Sequence, residues 1–111
     1  MSYIKNFTTE YSFGEKIYKI TAPARFDAET DQPIYDAELD ERATEMARQA
    51  CREDMGLVSP ADLNNFRNEF GLSQRDLAKI TGLNVNTVAL YEAGAFPSED
   101  DNKLLKDLLS T

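Results

Sequence analysis

Apolar residues recur along this chain in three rhythms, and each marks a different kind of element. Over residues 1–26 they come close to alternating. Tyr3, Ile4, Phe7, Tyr11 and Phe13 precede Gly14-Glu15, and Ile17, Tyr18, Ile20 and Ala22 follow it. This predicts a β-hairpin turning at Gly14-Glu15, where glycine supplies the positive φ that a two-residue turn needs. The alternation is imperfect, because Lys16, Lys19 and Thr21 fall out of phase with Ile17 and Ile20. A lone hairpin is marginal in water, so this one must pack on a helix of the chain, a second subunit or a partner. Pro23 to Pro33 is polar and reads as a connector. Its carboxylates lack the ligand order and mid-loop glycine of a calcium loop, and a solvated acidic turn fits better.

From Asp36 to about Met55 the step changes to three and four. Leu39, Ala43, Met46, Ala47, Ala50, Cys51 and Met55 fall on one helical stripe, with charged residues around the other sides. This helix is expected to cover the hairpin. Glu38 and Arg42 are neighbours of opposite sign, Glu41 and Glu45 of like sign, so their effects roughly cancel. Gly56 closes the helix. Beyond it come shorter amphipathic runs punctuated by Ser, Pro and Gly. Ser59-Pro60 starts a helix carrying Leu63, Phe66, Arg67 and Phe70, and Gly71 ends it. Ser98 caps a last helix whose Leu104, Leu105, Leu108 and Leu109 either close a small bundle or pair with a second subunit.

Between those two helices lies the most specific stretch of the chain, Leu72 to Gly94. Ser73 is placed to cap a helix with Leu77, Ala78 and Ile80 on its apolar side. Gly82 ends that helix, since a residue without a Cβ takes the left-handed conformation readily. Leu83 anchors the turn and Asn84 caps the next helix, whose apolar positions are Val85, Val88, Ala89 and Tyr91; Gly94 stops it. Two short helices joined this way make a helix-turn-helix, whose second helix is built to lie in a DNA major groove.

Leu72-Ser73-Gln74, Asp76-Leu77-Ala78, Gly82, Thr87-Val88 and Tyr91-Glu92-Ala93-Gly94 resemble the Cro/repressor (XRE) helix-turn-helix family, with the family's spacing throughout. The resemblance implies a five-helix-type repressor domain. A second resemblance covers most of the chain in outline, weakly in the first half and well in the second. Tyr11-Ser12-Phe13, Pro33-Ile34-Tyr35-Asp36, Gly56-Leu57-Val58-Ser59-Pro60 and Val85-Asn86 are similar to the MqsA (YgiT-type) antitoxin family. That family joins an N-terminal zinc-binding, toxin-binding region to a C-terminal domain that dimerises on operator DNA. Its zinc module uses two Cys-x-x-Cys pairs. Here the second pair falls at Asp27 and Thr30, and the first has no counterpart. Four thiolates are the physical basis of such a site, so neither a metal nor any other cofactor is expected.

Carried over residue by residue, the family's base-reading positions fall on Asn84, Val85, Asn86 and Leu90. Asn86 is the best candidate, because a carboxamide pairs bidentately with adenine N6 and N7. Val85 suits a thymine methyl. Leu90 stands where the pattern has an arginine and cannot donate to guanine. Gln74 takes a family phosphate position at a helix N-terminus, with Arg75, Thr87 and Lys79 as assistants.

Charge cuts against this reading. The chain of 111 residues has a formal net charge of −8. Residues 1–57 hold 7 basic and 12 acidic side chains, and residues 58–111 hold 5 and 8, so even the DNA-binding half is acidic. DNA rewards phosphate neutralisation. Only the local field at the docking face matters, however, at a Debye length of about 8–10 Å. Glu99, Asp100 and Asp101 suit a helix N-terminus but would repel phosphate. With no histidine and the single Cys51, there is no disulfide and no constellation for catalysis, so no enzyme is expected. No apolar run approaches membrane-spanning length, and the N-terminus lacks a signal-peptide core, which places the protein in the cytoplasm.

The sequence therefore predicts an α+β protein. Residues 1–57 form a hairpin plus helix that binds a partner protein, with a toxin as one candidate. Residues 58–111 form an all-α repressor-type domain that acts as a homodimer on palindromic double-stranded operator DNA. The alternative is an interaction module on a repressor scaffold that has lost DNA binding.

Overall fold

The structure, a computed structural model, describes residues 1–110. They fold as two compact units, one spanning Met1–Asp54 and one beginning at Met55.

The first unit opens on β1 (Ser2–Phe13) and β2 (Lys16–Asp27), paired antiparallel without a break from Ser2↔Asp27 to Phe13↔Lys16. Gly14 turns at φ 63°, the positive φ that a hairpin with glycine in its first turn position requires. A short β3 (Pro33–Ile34) pairs with Arg25 and Phe26, giving the sheet order β1-β2-β3. Two expectations change here. The strand runs through Pro23, because β3 stops short of it and leaves that flank unpaired, a setting where a strand tolerates proline. The alternation is also cleaner than it reads in the sequence. Ile20, Ala22 and Phe26 are buried on one face with Tyr18 and Ala24 half-buried beside them, while Ile17, at 62% exposure, sits on the other.

The helix α1 (Ala37–Met55) is capped by Asp36, whose carboxylate accepts from the Leu39 amide at 3.0 Å and from Arg25 Nε at 2.8 Å. Ala43, Ala47 and Ala50 pack on Ile20, Ala22, Tyr11, Phe13 and Tyr18. These alanines form the surface that meets the sheet, and Met46 and Met55 lie off it, exposed rather than on the inner stripe. The charge pairing differs as well. Arg48 reaches both Glu41 (3.2 Å) and Glu45 (3.4 Å), which offsets their like charge, and Arg52 Nη1 lies 2.7 Å from Glu45. Among the described residues no ion pair joins Glu38 to Arg42.

Among the described residues the second unit has four helices, α2 (Pro60–Phe70), α3 (Gln74–Thr81), α4 (Val85–Glu92) and α5 (Glu99–Leu109), one fewer than the five-helix type. Their core is Val58, Leu63, Leu77, Ala78, Val88 and Leu105, with Phe66, Leu83, Val85, Tyr91, Leu108 and Leu109 packed against it. The leucine stripe of α5 thus closes the bundle, and only Leu104 faces outward. Ile80 and Phe70 are exposed. In α3 the inner face runs through Gln74, Leu77, Ala78 and Thr81, one step away from Ile80.

Candidate nucleic-acid interface

Each element of the helix-turn-helix is fixed at its ends by side chains. Ser73 Oγ accepts from the Asp76 amide at 3.0 Å, and the Asp76 carboxylate accepts from the Ser73 amide at 3.0 Å, a capping box that satisfies two orphan donors of α3. The Ser73 amide holds the Asp76 carboxyl below the usual carboxylate range. Gly82, at φ 79°, ends α3 in the left-handed region. Thr81 Oγ1 then accepts from the Leu83 amide at 3.2 Å, which pins the turn. Asn84 caps α4 by accepting from the Asn86 amide at 2.8 Å.

These caps sort the base-reading candidates. The Asn84 carboxamide oxygen accepts one bond in its cap, which leaves its amino group and one lone pair for a base. Val85 is half-buried against the core. Asn86 is exposed, and Leu90 is 59% exposed one turn further along the same side, with Ala93 a turn beyond. The outward stripe of α4 is therefore Asn86, Leu90 and Ala93, while Val88 faces the core. Thr87 and Gln74 are half-buried, Gln74 in the first turn of α3. Arg75 and Lys79 are exposed on α3 and share an open recess of about 400 Å³ with Ala78, Gly82, Leu83 and Val85. Among the described residues neither cation is in an ion pair. Two exposed positive charges thus line the recess at the start of α4, and Lys79 also helps hold the Asp76 carboxyl low.

The sequence pattern alone did not reveal a polar clamp behind this surface. Arg67 of α2 grips Glu92 at the end of α4 bidentately, Nε to Oε2 at 2.8 Å and Nη2 to Oε1 at 2.7 Å. Arg67 also donates to the Leu72 carbonyl at 3.1 Å and to Asn64 at 3.1 Å. The Glu92 side chain is only 5% exposed, and the pairing raises the Arg67 guanidinium above its ordinary value. One side chain so ties α2 to both the approach to α3 and the tail of α4. It also neutralises the only acid on α4. A lone arginine among apolar positions of α2 was the signal for it.

The acids at the start of α5 divide into two kinds. Asp101 accepts from the Tyr91 hydroxyl, and its amide donates to Ser98 Oγ at 3.2 Å. Burial, followed by that carboxylate, raises the Tyr91 phenol above its usual value. Glu99 and Asp100 stay exposed.

Four capped helices around one core, a glycine turn between the middle pair and an exposed stripe on the second of them define a DNA-binding domain of the transcription-regulator class. Residues 63–101 match the helix-turn-helix family model, a little over a third of the chain. The match supports a Cro/repressor-type helix-turn-helix over this segment, and the matched domain family binds DNA and is not enzymatic. No curated protein and no solved structure matches the chain. No described helix is long and apolar enough to cross a membrane.

Proposed function

We propose that the chain is a transcription regulator of antitoxin type that reads a palindromic operator as a homodimer. Its first unit binds a partner protein, with a toxin as one candidate. The observation that carries the DNA reading is the outward stripe of α4, with the exposed carboxamide of Asn86, together with the exposed cations Arg75 and Lys79, which share a recess with Val85 in the first turn of α4. Asn86 pairs with adenine, and Leu90 meets thymine methyls, so the operator half-site is A·T-rich where α4 lies. Gln74, Arg75, Lys79 and Thr87 hold the flanking phosphates, and Asn84 and Val85 contact the first bases of the half-site. The test is a titration on the protein's own promoter fragment at low salt, beside Asn86→Ala. The expected cost is about 1–3 kcal/mol per half-site, with discrimination relaxed at one position.

A second reading is favoured by a different observation: α4 carries no Lys or Arg, Leu90 is exposed, and Glu99 and Asp100 stand open at the start of α5. In it the scaffold has turned from DNA to protein. A pull-down that returns one stoichiometric protein and no DNA supports it. Recovery of operator fragments alone rules it out.

A further inference from the structure

We infer that the outer edge of β1 pairs antiparallel with β1 of a second copy of this chain. This rests on the homodimer of the proposed function and gives it an interface. In a hairpin with a two-residue loop the residues flanking the loop form a hydrogen-bonded pair, and the pairs alternate from there. Phe13↔Lys16 is that first pair, so the odd members of β1 bond to β2. At the far end the Ala28 amide donates to the Met1 carbonyl at 3.1 Å, as the same alternation requires. The even members, Ile4, Asn6, Thr8 and Glu10 among them, therefore aim their amides and carbonyls away from β2. No strand lies on that side among the described residues.

Proteins usually blunt such an edge with a short strand, a proline, a bulge or several charges. β1 is 12 residues long and contains no proline, and its register runs unbroken to the turn. Its only charged side chains are Lys5 and Glu10, which alternate onto opposite faces of the sheet. Its own side chains thus sum to zero in a chain of net charge −8, and Lys5 is further paired with Asp31 at 3.2 Å. Two copies repel over most of their surface, and along this strand they do not. A two-fold axis at Phe7 or Thr8 sets Lys5 against Thr9 or Tyr11 and Glu10 against Ile4 or Asn6, so no charge meets its own copy. The acidic helix α1 would suit a basic partner. The neutral edge suits a second copy.

The test is amide exchange on the intact chain without DNA, followed over a wide range of concentration beside its sedimentation. The amides of Ile4, Asn6, Thr8 and Glu10 are expected to slow by roughly tenfold or more as dimer accumulates, while the inward ladder amides stay unchanged. Asn6→Pro removes one outward donor and none from the β1–β2 ladder, so it should return the chain to monomer with its circular dichroism intact. Should that variant fail to fold, the exchange of the natural chain still decides. Outward amides that remain fast while a dimer forms, or that slow only when a different protein is added, overturn the inference. Operator binding is measured separately: a dimer with protected β1 and no operator binding sinks the regulator reading alone, and operator binding with a fast-exchanging edge sinks the edge alone.

Discussion

Arg67 and Glu92 show what single side chains do here. Their bidentate pair is largely shielded from water, so removing one partner strands a charge. Arg67→Met is expected to destabilise the second unit by an amount near the low end of the roughly 3–5 kcal/mol typical of broken buried pairs. Replacing both residues with Met should cost less than either single change, and denaturant titration of the full cycle checks it. Ser73→Ala, which removes only a cap, should cost about 1 kcal/mol. Asp76 makes the capping box sensitive to acid. Its folded value lies below the unfolded one of about 3.9, so its contribution is full above that pH and is lost as pH falls through the folded value. Asp76→Asn should flatten this part of the acid limb in thermal melts read by circular dichroism. An unchanged limb would contradict the assignment.

At the scale of elements, local chemistry made much legible. Ser59, Ser73, Asn84 and Ser98 cap helices where the sequence places them, and Gly71 and Gly82 end helices in the left-handed region. These signals lie within a few residues of what they control. Features that depend on distant partners were not legible. Arg67 and Glu92 are 25 residues apart, and β3 exists only because Arg25 and Phe26 offer it a flank. Met46 and Met55 fit the helical period but not the alanine-lined surface that meets the sheet. The α5 stripe left two options open, and burial separates its members. Leu105→Ala should cost about 2–5 kcal/mol, and Leu104→Ala, at an exposed position, far less. Equal effects of the two in denaturant melts would mean that Leu104 is also buried, in a contact between copies.

The whole molecule sets a modest electrostatic scale. A chain of net charge −8 gains little from DNA without sequence readout, and Arg75 and Lys79 are exposed cations at the recess that opens α4. Two such residues in each of two subunits predict a slope of log K against log salt of about −3.6. A much steeper slope would mean that other cations reach the phosphates. Affinity must then come from Asn86 and Leu90 and from the joining of two half-sites. The proposed base-reading residues come from a family pattern, which does not carry their exposure; Asn86 is exposed, as the proposal requires.

The central claim is that α4 reads DNA through Asn86, and one comparison tests it most directly. The intact protein and Asn86→Ala are titrated at low salt against the protein's own promoter fragment and a scrambled fragment of equal length. The account predicts a clear preference of the intact protein for the promoter, and its collapse toward the scrambled value in Asn86→Ala with the fold unchanged. Equal affinity for both fragments, or a preference that survives in Asn86→Ala, would contradict it.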